Sequence, residues 1–191
     1  MAVLPIYSCF HPLLKKPTTE VKEINDEIKK LVDDMFESMY KADGIGLAAN
    51  QVGISKSLIV IDINASKDKK HDEPPVTMIN PVIEEFSEEE VEYQEGCLSV
   101  PKFYEDIERP KLIQIKYYDL DMNEHVREAD DLLSRVMQHE VDHLRGIIFT
   151  ERMSPIKRSL AKSKLKKIQK GLVIPNYPMI GKDGNLLKLK E

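Results

Sequence analysis

Cysteine is scarce in this chain: Cys9 and Cys97 are the only two among 191 residues. A disulfide framework is thereby excluded as the organising principle. Positive charge is not in excess either. Against 33 Asp and Glu stand 28 Lys and Arg, a formal net charge of −5, which argues against a general nucleic-acid surface. The local exception is KRSLAKSKLKKIQK at 157–170. With Leu160, Leu165 and Ile168 interleaved, it reads first as a solvated helix with one docking stripe, and only secondarily as a nucleic-acid or membrane contact. Long apolar runs are missing, and none approaches the roughly 18 residues of a membrane span. The opening MAVLPIYSCF lacks a basic segment, and Pro5 interrupts an apolar run too short for a signal peptide. The expected compartment is a reducing cytoplasm, where a cysteine stays available as a thiolate.

What remains is an ordinary globular composition, 41% hydrophobic and 32% charged, in a length that suits one domain with a sizeable core. Apolar residues at Ile24, Ile28, Leu31, Val32, Met35, Phe36 and Met39 predict a helix from Val21 to Tyr40. Strands are expected over Ser57–Ile63, Val76–Ile83, Glu90–Val100 and Leu112–Tyr118, with a polar loop, KDKKHDEPP, between the first two. A hairpin turn is expected at Asp119–Asn123. The carboxylates of Asp130 and Asp131 suit the start of a second helix that stops at Gly146. A third runs from Ser154 or Pro155 to Gly171. A helix, several strands and two further helices, without βαβ alternation, predict an α+β fold. The expected division is a single domain over 1–170 and a tail over 171–191 whose packing the pattern does not specify.

The chemistry concentrates at QHEVDHL, 138–144. Histidines four apart share one helix face, so His139 and His143 can bind one ion through their rings, while Glu140 reaches a water on it. By chance such a motif arises in about one chain in a hundred of this composition, and Leu133, Val136, Met137, Val141 and Leu144 supply the apolar stripe a helix needs. We therefore read a metal site. A catalytic site needs a third ligand. His11, His71 and His125 lie upstream outside any ligand motif, and Glu151 and Glu191 are unconvincing. Cys97, in QEGCLS after a glycine, is the better candidate, although a free cysteine taken alone is more often a small buried hydrophobe. A third segment, DGIGLAANQVG at 43–53, is a small-residue loop without the ending of a phosphate-binding loop. Its Gln51 is either a donor to a developing oxyanion or a loop amide bonded to backbone.

Taken in order, GIGLAANQ (44–51), EGCLS (95–99) and QHEVDH (138–143) resemble the motifs of the peptide deformylases. The likeness spans about 4–165 and includes LPI near the N-terminus, Arg109-Pro110 and Gly146. Lys102 departs from it, standing where the family often has glycine. The resemblance implies an α+β fold with mixed or antiparallel strands around a central metal-binding helix, and N- and C-terminal helices beside it. It implies removal of the N-formyl group from nascent chains that begin with formyl-methionine, with formate released, and leaves room for ribosome association. It implies Fe(II), replaceable by Zn, Ni or Co, held by Cys97, His139 and His143. Glu140 is then general base and acid, Gln51 and the Leu98 backbone N–H hold the oxyanion, and Gly46 contacts substrate. Leu132 and Val136 precede His139 on its helix face and could floor a pocket for an unbranched side chain. Two alternatives stay open: a metallopeptidase using another ligand, and a non-catalytic closed metal site.

Overall fold

The computed structural model describes residues 2–65 and 73–187; the expected polar loop KDKKHDEPP falls outside them through residue 72, as does His71. Strand β1 (Ile6–Tyr7) precedes helix α1 (Asp26–Lys41). Then come β2 (Gly46–Ala48), β3 (Leu58–Ile61), β4 (Val76–Phe86), β5 (Glu90–Cys97), β6 (Val100–Pro110), β7 (Ile113–Tyr118) and β8 (Glu124–Ala129). Helix α2 (Asp131–Leu144), helix α3 (Pro155–Gln169) and β9 (Met179–Ile180) complete the order. The class is α+β, as expected. An antiparallel sheet of order β2-β3-β4-β7-β8 forms the centre, β5 and β6 form a separate long hairpin, and β9 pairs in parallel with β1.

The unbroken apolar run of β3 has a simple cause. Alternate residues of a strand face opposite sides, and here both sides are covered. Ile59 and Ile61 pack with Met137 and Val141 of α2, whereas Leu58 and Val60 pack with Met35 and Met39 of α1. The sheet is thus sandwiched between the two helices, and α2 becomes the most enclosed element. Every residue from Leu133 to Leu144 is buried, including seven with polar or charged side chains. Burying that much polarity is costly unless each group finds a partner.

Several expectations need correction. Helix α1 starts at Asp26, five residues later than the periodicity implied. Asn25 caps it by accepting from the Ile28 N–H, and Val21 is held extended by a double hydrogen bond with the Asn80 side chain, 2.8 Å each way. The strand expected to end at Val100 ends at Cys97, and a second, unforeseen strand occupies Val100–Pro110. The stripe of α3 is Ala161, Leu165 and Ile168; Leu160 is 80% exposed and lies off it. By contrast the turn at Asp119–Asn123 forms, with Asp119 accepting from the Asp121 and Asn123 amides. Gly146 and Gly171 end their helices in the left-handed region, as glycines past a helix C-terminus do.

The tail is not separate through residue 187. Ile6 and Ser8 donate to the carbonyls of Pro178 and Ile180 on either side of Met179, which is buried in the α1 cluster beside Leu187.

Candidate metal centre

Helix α2 places His139 and His143 one turn apart, with ring centroids separated by 5.0 Å. Cys97 reaches them from the end of β5. Up to Gly96 the hairpin register is regular, pairing Gly96 with Tyr104; it then breaks, and Cys97 pairs with Val100 across a tight turn. A Cβ on Gly96 would stand 2.6 Å from the Tyr104 ring, so a larger residue there would displace that exposed side chain. Cys97 Sγ lies 3.2 Å from His143 Nε2, and donor atoms of Cys97, His139 and His143 all fall within 4.8 Å of one another. Bonds of about 2.0–2.3 Å to one tetrahedral ion hold donors about 3.5 Å apart, so the three fit a single ion. No other residue joins this cluster among the described ones.

A buried ionic network orients the cluster. His139 Nδ1 lies 2.9 Å from Glu95 Oε2. A carboxylate only accepts, so Nδ1 carries the proton and Nε2 is the nitrogen left for a ligand. Glu95 in turn accepts from Arg109 at 2.6 and 2.9 Å and from Arg135 at 2.8 Å. Arg109 continues to Asp142 at 2.6 Å, and Asp142 also accepts from Arg152. Burial opposes the ionised form of Glu95, but hydrogen bonds from His139 and Arg109 overcome it and hold the carboxyl well below its usual range. Glu95, Arg135 and Asp142 had no role in the sequence reading. Part of the signal was present: the charges of Glu95 and Asp142 stand inside the ligand motifs, and Arg109 falls in phase with Phe103 and Ile107 on the inner face of β6.

Above the cluster opens a cleft of about 590 Å³. Of the residues singled out in the sequence, Gly46, Gln51, Cys97, Leu98, Leu132, Val136, His139 and Glu140 line it, and His143 lies behind them. Glu140 is buried with Oε2 lacking any partner, and burial pushes its carboxyl up to about 7. Strand β2 crosses so near that a Cβ on Gly46 would meet Glu140 Oε1 at 2.5 Å. The Gln51 amide has a defined orientation. Its Oε1 accepts from the Ala48 N–H at 2.8 Å, which turns Nε2 toward Ser99 Oγ at 3.2 Å and Cys97 Sγ at 3.6 Å. Lys102, Tyr104 and the tail residues 175–177 form part of the outer wall. Lys102 adopts a φ of 56°, a left-handed conformation that glycine takes without strain.

A family model described as polypeptide deformylase matches residues 3–159. The chain belongs to the peptide deformylase family. A peptide deformylase of Cellvibrio japonicus is 46% identical over 170 residues, covering 89% of this chain and 98% of its own. One of Salinibacter ruber is 41% identical over 187 residues, covering 95% and 96%. Among solved structures, the enzyme of Plasmodium falciparum superposes with a TM-score of 0.81 at 36% identity over 86% of this chain and 95% of its own. That of Synechococcus elongatus, solved in complex with actinonin, gives 0.79 at 40% over 87% and 89%. The family model ends before the tail, so the wall contributed by residues 175–177 is built from chain beyond that model's match.

Proposed function

We propose that this hydrolase removes the N-formyl group from the formyl-methionine terminus of newly made polypeptides and releases formate. The observation that carries the reading is the convergence of Cys97, His139 and His143 beneath a cleft that also presents Glu140 and the Gln51 amide. These three residues would hold one divalent ion, which supplies Lewis acidity and a water of lowered pKa. Fe(II) suits a site with one thiolate and two imidazoles, and Zn, Ni or Co can replace it.

Glu140 takes the proton from the attacking water and returns it to the departing amine. Its raised pKa, near neutrality through burial, suits both transfers. As the formyl carbon becomes tetrahedral, negative charge develops on its oxygen. Gln51 Nε2 and the Leu98 backbone N–H are assigned as the donors that meet it. Gly46 offers backbone to the substrate, and Leu132 with Val136 floors the methionine pocket.

The metallopeptidase alternative requires another His or Glu ligand, and none joins the cluster among the described residues. Both cysteines are free thiols, which accords with a cytoplasmic site of action. No described helix is long and apolar enough to cross a membrane. Because the substrates are nascent chains, we also propose work beside the ribosome, with the exposed lysines of α3 as the surface facing it. Incubation with formyl-methionyl peptides tests the reaction: formate should appear with every internal peptide bond intact, and internal cleavage without formate would overturn the reading.

A further inference from the structure

We infer that Tyr177, in the C-terminal tail, is a positioning residue for the Leu98 oxyanion donor. The inference rests on the reading of the Leu98 N–H given above. The tail lies beyond the part of the chain that matches the family model, yet it returns to the cleft. Pairing of Met179–Ile180 with Ile6–Tyr7 fixes the chain immediately after Tyr177, and Pro175, Asn176 and Tyr177 line the cleft wall. From there the Tyr177 hydroxyl donates to the Leu98 carbonyl oxygen at 2.7 Å.

Leu98 is where such an anchor matters. It and Ser99 form the whole connection between β5 and β6, and tight connections of this kind hold few backbone bonds of their own. Three hydrogen bonds from outside hold this one. Gln51 Nε2 donates to Ser99 Oγ at 3.2 Å, the Cys9 N–H donates to the Ser99 carbonyl at 2.8 Å, and Tyr177 bonds Leu98 itself. Of these, only the last acts on the residue that carries the donor. With Cys97 fixed on one side as a ligand and the Leu98 carbonyl fixed on the other, the peptide between Cys97 and Leu98 has little freedom to rotate. Its N–H is thereby aimed before the substrate arrives. A preorganised donor is effective because it does not reorient as charge develops, and a misplacement of about 1 Å can lower a rate by about 10²-fold.

The hydroxyl does not touch the reacting atoms, so its deletion should lower the rate less than loss of a donor. Tyr177→Phe keeps the ring and removes only this bond. In the full-length, metal-loaded enzyme, kcat per bound metal for formate release should fall about tenfold, with KM changed by less than about twofold. In zinc-loaded, ¹⁵N-labelled protein the Leu98 amide resonance should shift and broaden. Gln51→Ala, measured alongside, should lose about 10²–10³ in kcat. A Tyr177→Phe enzyme with unchanged kcat, with only a lower Tm, or with an unmoved Leu98 amide overturns the role of Tyr177. If Gln51→Ala is impaired while Tyr177→Phe is not, the function stands and this inference fails. A wild-type enzyme that releases no formate overturns the function itself.

Discussion

Glu95 and His139 are joined by a hydrogen bond of 2.9 Å between carboxylate Oε2 and ring Nδ1, and this single contact decides which face of the imidazole points at Cys97. It couples the site to the rest of the molecule, because Glu95 is also the shared acceptor of Arg109 and Arg135. Orienting partners of this kind are worth about 10–100-fold in metal affinity. Glu95→Gln should weaken metal binding by that factor in a chelator competition. It should also lower stability by about 3–5 kcal/mol in denaturant titration, because the buried Arg135 loses its carboxylate partner and Arg109 is left with Asp142 alone. Replacing Glu89, half of an exposed pair with Lys111, should change neither. Unaltered metal affinity in Glu95→Gln would refute the orienting role.

Gly46 is where the central sheet touches Glu140, the proposed proton shuttle. Gly46→Ala sets a methyl 2.5 Å from Glu140 Oε1, so the carboxylate must move. Turnover should drop by at least about tenfold while metal content, held by other residues, stays at the wild-type level. Normal kcat in Gly46→Ala would show that Glu140 has room that the geometry denies it.

Lys102 carries a strain that glycine would not. Relief of the left-handed conformation is worth about 1–2 kcal/mol, offset by up to about 1 kcal/mol of extra unfolded-state entropy. Lys102→Gly should therefore raise stability by about 0.5–1 kcal/mol, read from the urea midpoint. A lower midpoint would mean that the lysine side chain makes a stabilising contact of its own.

A thiolate ligand makes iron vulnerable to oxygen. Enzyme loaded anaerobically with Fe(II) should lose formate-releasing activity in air, and the nickel form should keep it. Equal decay of the two would argue that Cys97 does not ligate.

Much of the site was legible because its chemistry is local. Two histidines one helical turn apart, a helix stop at Gly146 and an Asp-to-Asn turn at 119–123 are each written within a few residues. What was missed depends on distant partners. Val21 continues the periodicity of α1, but Asn80, far along the chain, holds it extended. Strand β6 was obscured because Arg109 occupies an inward position that a sequence pattern expects to be apolar; only Glu95 and Asp142 make burial there tolerable. The pairing of β1 with β9 involves two residues at each end of the chain, too short a run to leave a signal. Leu160 shows the opposite error, an apolar residue in a helix that the core never reaches.

The most direct test of the account compares metal content and turnover in Glu140→Ala. Glu140 faces the cleft beside the three proposed ligands without belonging to their cluster. If it is the proton shuttle, both water activation and amine protonation fail without it. The variant should bind its metal as the wild type does, about one ion per chain, and release formate from a formyl-methionyl peptide at least about 10³-fold more slowly. Loss of the metal would make Glu140 a ligand, and turnover near the wild-type rate would place the base elsewhere; either result contradicts the mechanism.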